Sequence, residues 1–213
     1  MIIVHHLNNS RSQRVLWLLE ELGVDYEIKF YERDQKTMLA PASLREVHPL
    51  GKSPVITDGE ETIAESGAII EYIVNRYGNG RLIPPSGTPE RLRYTYWLHY
   101  AEGSAMPPLV MNLVFSHFGT GDSSVKDAFI APQIKLHFDY IEGELGKSTW
   151  FVGEEFTAAD IQMSFPLEIV ATQAELISSR PQIKQFIERI HARPAYERAL
   201  ERGGKYDYAK SIQ

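Results

Sequence analysis

The sequence contains no cysteine among its 213 residues. Disulfide bonds, zinc sites built on thiolates and a cysteine nucleophile of the protein's own are therefore excluded. If thiol chemistry takes place on this chain, a ligand has to bring the thiol.

The sequence also lacks a long apolar run and an excess of positive charge. No stretch approaches the length of a membrane-spanning helix, so we expect no membrane partner. The net charge of −6 disfavours nucleic acid and anionic membrane surfaces as main partners. The first ten residues, MIIVHHLNNS, have neither the basic start nor the long apolar core of a signal peptide, and we expect a cytoplasmic protein.

The composition that is present is ordinary for a soluble globular protein, with 43% hydrophobic and 23% charged residues. The length suffices for one large domain or two small ones, each with its own core. We predict no metal site.

The first 80 residues alternate between strand and helix patterns. Apolar residues at helix spacing, such as Val15, Leu18, Leu19 and Leu22, predict an amphipathic helix after a short apolar strand. In order, the patterns predict a strand at 2–6, a helix at 12–22, a strand at 26–31, a short helix at 42–47, a hairpin around Asp58-Gly59 and a helix at 66–77. We therefore predict a small α/β domain over residues 1–80.

The stretch GNGRLIPPSGTP, residues 78–89, interrupts every regular pattern and predicts a linker over 81–89. Beyond it we predict an all-helical domain over 90–213. The predicted helical segments are 90–118, with a kink or break at Pro107-Pro108, then 125–145, 156–176 and 181–202, and a polar loop is predicted over 119–124.

The segment FTAADI, residues 156–161, has the spacing of a capping box at a helix start. Thr157 stands at the N-cap position and Asp160 three residues later. We interpret Asp160 as structural rather than catalytic.

Ser10 lies where the first strand passes into the first helix, beside Arg11 and Arg14. One interpretation is a helix N-cap, because serine accepts hydrogen bonds from free backbone N–H groups. The other is that the helix N-terminus attracts an anion and the hydroxyl helps to hold it. His5 and His6 alternate between the two faces of the strand, so a Ser–His dyad is not predicted.

A second group of chemically suited residues lies in PLGKSPVITDGEETIAESGAIIEYI, residues 49–73. Pro54 is tolerated at the first residue of a strand. If the Ser53–Pro54 bond is cis, the backbone of Val55 would face outward and could pair with a peptide-like ligand.

Glu65 and Ser66 open the following helix. Its free N–H groups and the Ser66 hydroxyl suit a carboxylate, while Glu65 suits an ammonium group, so both ends of an amino acid could be held. Lys52 adds a cation nearby. The alternative is a plain N-cap at Ser66 and a solvated Lys52, but three such features around one strand edge favour binding.

These segments together resemble the cytosolic glutathione transferases, over nearly the whole chain. The resemblance is carried by SRSQRVLWLLEEL, typical of a bacterial and fungal group, by HPLGKSPVITDG, by AESGAIIEYI, by the Pro/Gly linker, by FTAAD and by RPQIKQFIERIHARPAYERAL. It implies a thioredoxin-like α/β N-terminal domain that binds glutathione and an all-α C-terminal domain that lines a pocket for a small hydrophobic electrophile. It also implies a homodimer, with glutathione as co-substrate and no further cofactor.

The resemblance assigns roles to residues of the glutathione site. Pro54 would be the cis-proline and Val55 would pair with the cysteinyl backbone of glutathione. Glu65 and Ser66 would hold its γ-glutamyl end, and Lys52 would reach a carboxylate.

The resemblance makes Ser10 the donor that activates the thiol, with Asn8 and Asn9 close enough to serve instead. Candidates for the electrophile pocket are Met106, Asn112 and Phe115, although ordinary core packing also explains each of them.

The function predicted on this basis is that of a glutathione transferase. The alternatives are a glutathione-binding protein without turnover, acting in stress or interaction, and a glutathione-dependent peroxidase or isomerase. The segment NNSRS lacks the SSCS-like loop of the maleylacetoacetate isomerases, and the absence of cysteine disfavours disulfide exchange.

Overall fold

The computed structural model describes residues 1–118, 124 and 126–209, which divide into two compact units. The first unit comprises Met1–Pro85 and the segment that starts at Glu188, and the second comprises Ser86–Ile187. The strands are β1 (Ile2–Leu7), β2 (Tyr26–Tyr31), β3 (Val55–Asp58) and β4 (Glu61–Ala64). The helices are α1 (Ser12–Leu22), α2 (Ser66–Tyr77), α3 (Pro89–Tyr100), α4 (Met106–Phe118), α5 (Ala131–Leu145), α6 (Ala158–Ala171), α7 (Ala174–Ile177), α8 (Pro181–His191) and α9 (Pro194–Gly203).

The first unit is built on a four-stranded sheet in the order β2-β1-β3-β4. β1 runs parallel to β2 and antiparallel to β3, and β3 and β4 form the predicted hairpin. α1 packs against β1 and α2, and its apolar face, including Val15 and Leu18, is fully buried. Gly23 ends α1 in a left-handed conformation, with φ of 60°, that favours glycine. The predicted α/β arrangement is confirmed.

The C-terminal segment packs along α1 of the same unit. Arg193 forms a two-bond ion pair with Glu21, with N–O distances of 2.5 and 2.9 Å. Tyr196 packs edge-to-face on Trp17 at 5.1 Å between ring centroids. The predicted division assigned residues 90–213 to one helical domain, whereas these contacts join the segment from Glu188 to the first unit.

In the second unit, a π-helical turn at Ala101–Ala105 separates α3 from α4. The predicted break was at Pro107-Pro108, and the irregularity lies one turn earlier. Proline has no N–H, so the helical carbonyls one turn before each proline lose their donors, and the chain adjusts there.

The remaining predicted helical segments are present with shifted bounds. A second π turn at Lys126–Ile130 leads into α5, the segment predicted at 156–176 divides into α6 and α7, and the segment predicted at 181–202 divides into α8 and α9 before Pro194. The loop predicted over 119–124 lies outside the described residues, except for Ser124. Within the described ranges every helix is too short or too polar to span a bilayer. The same residues bring together no group of three or more His, Asp or Glu side chains suited to a metal.

The predicted capping box at α6 is confirmed. Thr157 is the N-cap, and Asp160 Oδ2 accepts the Thr157 N–H at 2.8 Å. Asp160 Oδ1 also accepts the Phe151 N–H at 2.9 Å, which ties the preceding loop to the helix start. Burial raises the pKa of Asp160 to about 6, although these hydrogen bonds oppose the rise.

We expect Asp160→Asn to lower the free energy of unfolding by about 2 kcal/mol, because an amide nitrogen would face the N–H donors that the carboxylate now accepts. Urea unfolding measures this change. The control is Glu197→Gln, which neutralises an exposed acid in the first turn of α9 and should change stability by less than about 0.5 kcal/mol. Equal effects of the two substitutions would contradict the capping role.

Candidate functional site

Ser10 lies between β1 and α1 and is 4% exposed. Its Oγ accepts the backbone N–H of Ser12 at 3.2 Å. The N-cap position itself is occupied by Arg11, whose side chain caps nothing. The hydroxyl therefore satisfies one donor at the helix start without occupying the N-cap position.

A chain of buried polar groups runs inward from Ser10. The Oγ atoms of Ser10 and Ser12 are 2.7 Å apart, and Ser12 Oγ lies 2.9 Å from Nδ1 of His6. Burial lowers the pKa of His6 to about 4, with partial opposition from a hydrogen bond to the backbone of Gly203, so the imidazole is neutral near pH 7. Strand alternation did not predict a Ser–His dyad, and it gave no signal for a bridge from Ser10 to His6 through Ser12.

Ser53 connects this chain to the segment before β3. Its Oγ lies 3.3 Å from Ser10 Oγ and donates to the His5 carbonyl at 3.3 Å. The Ser53–Pro54 peptide bond is cis. The two groups of residues that sequence analysis singled out separately thus meet at this pair of hydroxyls.

Val55 lies inside the sheet rather than at an open edge. It pairs with His5 of β1 and with Ala64 of β4, and its side chain is 1% exposed. Its backbone groups face neighbouring strands, so the predicted pairing of Val55 with a ligand backbone does not fit this position. Just before β3, the N–H and C=O of Ser53 have no hydrogen-bond partner among the described residues, so the backbone of Ser53 is open to a ligand.

The pairing of β3 with β4 brings the start of one strand and the end of the other together. Val55 pairs with Ala64, so Ser53 and Pro54, just before β3, and Glu65 and Ser66, just after β4, lie at the same end of the hairpin. Glu65 is the N-cap of α2, with φ of 72°, and Ser66 is its first residue. The plain N-cap interpretation of Ser66 is therefore wrong.

The polar groups at this helix start are available to a ligand. Ser66 is 3% exposed, and its hydroxyl has no hydrogen-bond partner within the described ranges. Glu65 and Lys52 are exposed, and neither forms an ion pair with any residue that the structure describes. A helix start suited to an anion, a free carboxylate and a free ammonium group thus lie around one end of β3.

The two asparagines next to Ser10 have structural partners. Asn9 Oδ1 accepts the Asp207 N–H at 2.8 Å, and Asn9 Nδ2 donates to the Asp207 carboxylate at 2.7 Å. Asn8 Oδ1 accepts the N–H of Arg33 at 2.9 Å. These bonds hold the turn, which leaves Ser10 as the side chain of the three that contacts Ser53.

The three pocket candidates belong to the second unit. Met106 is buried at the start of α4, Asn112 is half-buried and Phe115 is 38% exposed. A cleft of about 240 Å³ in this unit is lined by other residues: Gly103, Ser104, Pro107, Pro108, Met111, Phe129, Ile130, Gln133 and His137. A role for Met106, Asn112 and Phe115 in an electrophile pocket remains a prediction.

Comparison with known proteins identifies the family. The family models for the glutathione S-transferase N-terminal and C-terminal domains match residues 1–75 and 107–194. Glutathione S-transferase 3 of Schizosaccharomyces pombe is 37% identical, over 95% of this chain and 88% of that protein. The chain belongs to the glutathione S-transferase family.

Solved structures agree with this assignment to the glutathione S-transferases. A glutathione S-transferase from Actinobacillus pleuropneumoniae is 36% identical, with a TM-score of 0.87 over 99% of this chain and 96% of that one. A sphingomonad glutathione S-transferase complexed with glutathione shares the fold at 24% identity, with a TM-score of 0.77 over 95% of this chain and 98% of that one. The predicted thioredoxin-like domain and helical C-terminal domain are confirmed.

The lowered pKa of His6 makes the protein less stable in acid. The folded protein takes up this proton only near pH 4, whereas an unfolded chain takes it up near pH 6.5. Below about pH 6.5 the unfolded state binds more protons, so the free energy of unfolding should fall as the pH drops towards 4, by up to about 3 kcal/mol from His6.

Denaturant unfolding of wild type and His6→Phe across this range measures the His6 contribution. The difference between the two curves isolates it from His5 and His137, whose pKa values burial also lowers. Parallel curves would contradict the assignment to His6.

Proposed function

We propose that the protein is a glutathione transferase that stabilises the thiolate of bound glutathione at Ser10 for attack on small hydrophobic electrophiles. The observation that carries this proposal is the 3.3 Å contact between the hydroxyls of Ser10 and Ser53. It joins the start of α1, where an anion would be stabilised, to an open peptide beside the cis-proline, where a peptide backbone could pair. The names of the relatives and the glutathione complex of the sphingomonad protein support it.

The ligand's chemistry matches the groups around Ser53. The cysteinyl backbone of glutathione would pair with the Ser53 N–H and C=O, which brings its sulfur towards Ser10. The γ-glutamyl carboxylate would accept hydrogen bonds from the Ser66 hydroxyl and from the first N–H groups of α2. The γ-glutamyl ammonium group would form an ion pair with Glu65. Lys52 would bind a carboxylate of the ligand.

Free-energy magnitudes support this role of Ser10. Lowering a thiol pKa from about 8.5 to about 6.5 requires about 3 kcal/mol in favour of the thiolate. A hydrogen bond from a hydroxyl to an anion supplies about 1.5–3 kcal/mol. The N-terminus of a helix adds about 0.3–1 kcal/mol. Together the two effects suffice without a general base.

The reaction follows from the thiolate. The thiol proton passes to solvent, the sulfur electron pair forms a bond to an electrophilic carbon, and a leaving group departs with its own electron pair. Met106, Asn112 and Phe115 stay our candidates for contacts with the electrophile.

We expect Ser10→Ala to return the pKa of bound glutathione towards its free value and to reduce kcat/KM about a hundredfold, because the anion loses its hydroxyl donor. Ultraviolet titration of thiolate absorbance measures the pKa, and calorimetry measures binding. Ser178→Ala, which removes an exposed hydroxyl of the second unit, is the matched control.

The outcomes separate the alternatives. A wild-type complex that binds glutathione without lowering its thiol pKa supports the non-catalytic binding protein instead. A lowered pKa that ignores Ser10→Ala but rises in Asn9→Ala or Asn8→Ala moves the donor to that asparagine.

We also propose that the protein is a homodimer. Tyr96 of α3 and Tyr140 of α5 are joined by a hydrogen bond of 3.1 Å between their hydroxyls, and both are exposed. Leu92 and Leu136, one helical turn before each tyrosine, are 74% and 61% exposed. The four side chains form one exposed apolar strip, which suits burial in an interface.

We expect wild type to sediment as a dimer and Leu136→Glu to shift the population towards monomer at micromolar concentration, because a buried unpaired carboxylate opposes association. Lys135→Glu, on the same turn and largely exposed, is the control for added negative charge. A wild type that is monomeric at every concentration would rule out the dimer.

A further inference from the structure

Ser12 contacts Ser10 and His6 contacts Ser12, and both are almost fully buried, at 0% and 2% exposure. The two serine hydroxyls are 2.7 Å apart, and Ser12 Oγ is 2.9 Å from the imidazole nitrogen. Both are hydrogen-bond distances, so each contact holds one proton. The geometry alone leaves the donor of each bond undefined. The surroundings of His6 define it.

The far side of the His6 ring faces Gly203 at the end of α9. A Cβ built on Gly203 would lie 3.5 Å from His6 Cε1 and only 2.7 Å from Leu16 Cδ1, so glycine allows this close approach. The backbone hydrogen bond from His6 to Gly203 favours the charged imidazole, which identifies the Gly203 carbonyl as the acceptor. Because Nδ1 faces Ser12, the nitrogen that donates to Gly203 is Nε2.

A neutral imidazole carries one proton, so Nδ1 of His6 has to accept. The Ser12 hydroxyl is its donor at 2.9 Å, a much shorter contact than the 3.4 Å from the same hydroxyl to the Leu7 carbonyl, and that bond uses the only proton Ser12 has. At the 2.7 Å contact Ser10 must then donate and Ser12 accept. The Ser12 oxygen also accepts the Leu7 N–H at 3.3 Å, in keeping with an acceptor role.

We infer that His6 and Ser12 are positioning residues, which hold the Ser10 hydroxyl proton inward in the ligand-free protein through the ordered chain Ser10 to Ser12 to His6 to the Gly203 carbonyl. The inference rests on the proposed function of Ser10. A neutral thiol is a weak acceptor and leaves the Ser10 proton with Ser12, whereas a thiolate is strong enough to draw it outward. The inward acceptor therefore makes the Ser10 bond selective for ionised sulfur, and it competes with the thiolate for the proton.

The direction of the chain can be tested without any ligand. Nitrogen-15 NMR of the histidine side chains distinguishes the two neutral tautomers, and the His6 signals are assigned by their loss in His6→Phe. We expect Nε2 to be protonated and Nδ1 to be an unprotonated acceptor. A His6 ring protonated at Nδ1 would reverse the chain and overturn the inference.

The consequence for the ligand is tested by the pKa of bound glutathione. We expect Ser12→Ala to lower this pKa below that of wild type by roughly 0.5 unit, about a threefold rise in the acid dissociation constant, because Ser10 loses its competing acceptor. His6→Phe keeps both serines and should act in the same direction, since Ser12 is then free to donate to Ser10. His5→Phe is the control, because His5 contacts Tyr31 and Thr57 on the other face of β1 and should leave the pKa unchanged.

The proposed function and this inference fail in different ways. If wild type does not lower the thiol pKa, or Ser10→Ala leaves it unchanged, the role of Ser10 fails, while the NMR result still decides the direction of the chain. If Ser10→Ala raises the pKa but Ser12→Ala and His6→Phe, folded by circular dichroism, leave it unchanged or raise it, the inward-acceptor inference fails alone. In the Ser10→Ala background the Ser12→Ala effect should vanish, as expected for a chain that acts through Ser10.

Discussion

The antiparallel pairing of β1 with β3 is the constraint on which the site depends. His5 lies opposite Val55, so the carboxyl end of β1 and the amino end of β3 are at the same end of the sheet. Ser10 follows the first and Ser53 precedes the second, which brings their hydroxyls to 3.3 Å across 43 residues of chain. The pairing of β3 with β4 then adds Glu65 and Ser66 at that end. Two strand registers therefore position the site.

Buried polar groups at this end have to be satisfied, and the way they are satisfied restricts what each one can do. An unpaired buried hydroxyl costs about 1–3 kcal/mol, so Ser10, Ser12 and His6 bond to one another. Asn9 is bonded at both ends of its amide to Asp207, which commits it to holding the turn. Ser66 is 3% exposed and its hydroxyl has no hydrogen-bond partner among the described residues, and such a group favours a ligand.

The sequence predicted most elements of the first unit because its local signals agree with one another. The helix Ser12–Leu22 and the strand Tyr26–Tyr31 were predicted with the bounds observed, since an amphipathic pattern ends at a glycine suited to the left-handed region and an alternating pattern follows. The hydrogen bonds that define the site were harder to predict from the sequence, because they join residues far apart in the chain. The approach of Gly203 to His6 depends on how α9 packs on α1, and the choice of Ser53 over Val55 depends on where β3 begins, which residue patterns locate only within a few positions.

The absence of cysteine and the chain of hydroxyls both favour stabilisation of a bound thiolate by hydrogen bonding over thiol–disulfide exchange. A cysteine at position 10 could form a mixed disulfide with glutathione and would favour thiol–disulfide exchange. A serine forms no such bond, so its contribution to a bound thiol is limited to donating a hydrogen bond. That contribution is greatest when the sulfur is an anion and the donor has a fixed position. The contact with Ser12 fixes the position of the Ser10 oxygen before the ligand arrives, and the sulfur remains free to react with a third molecule.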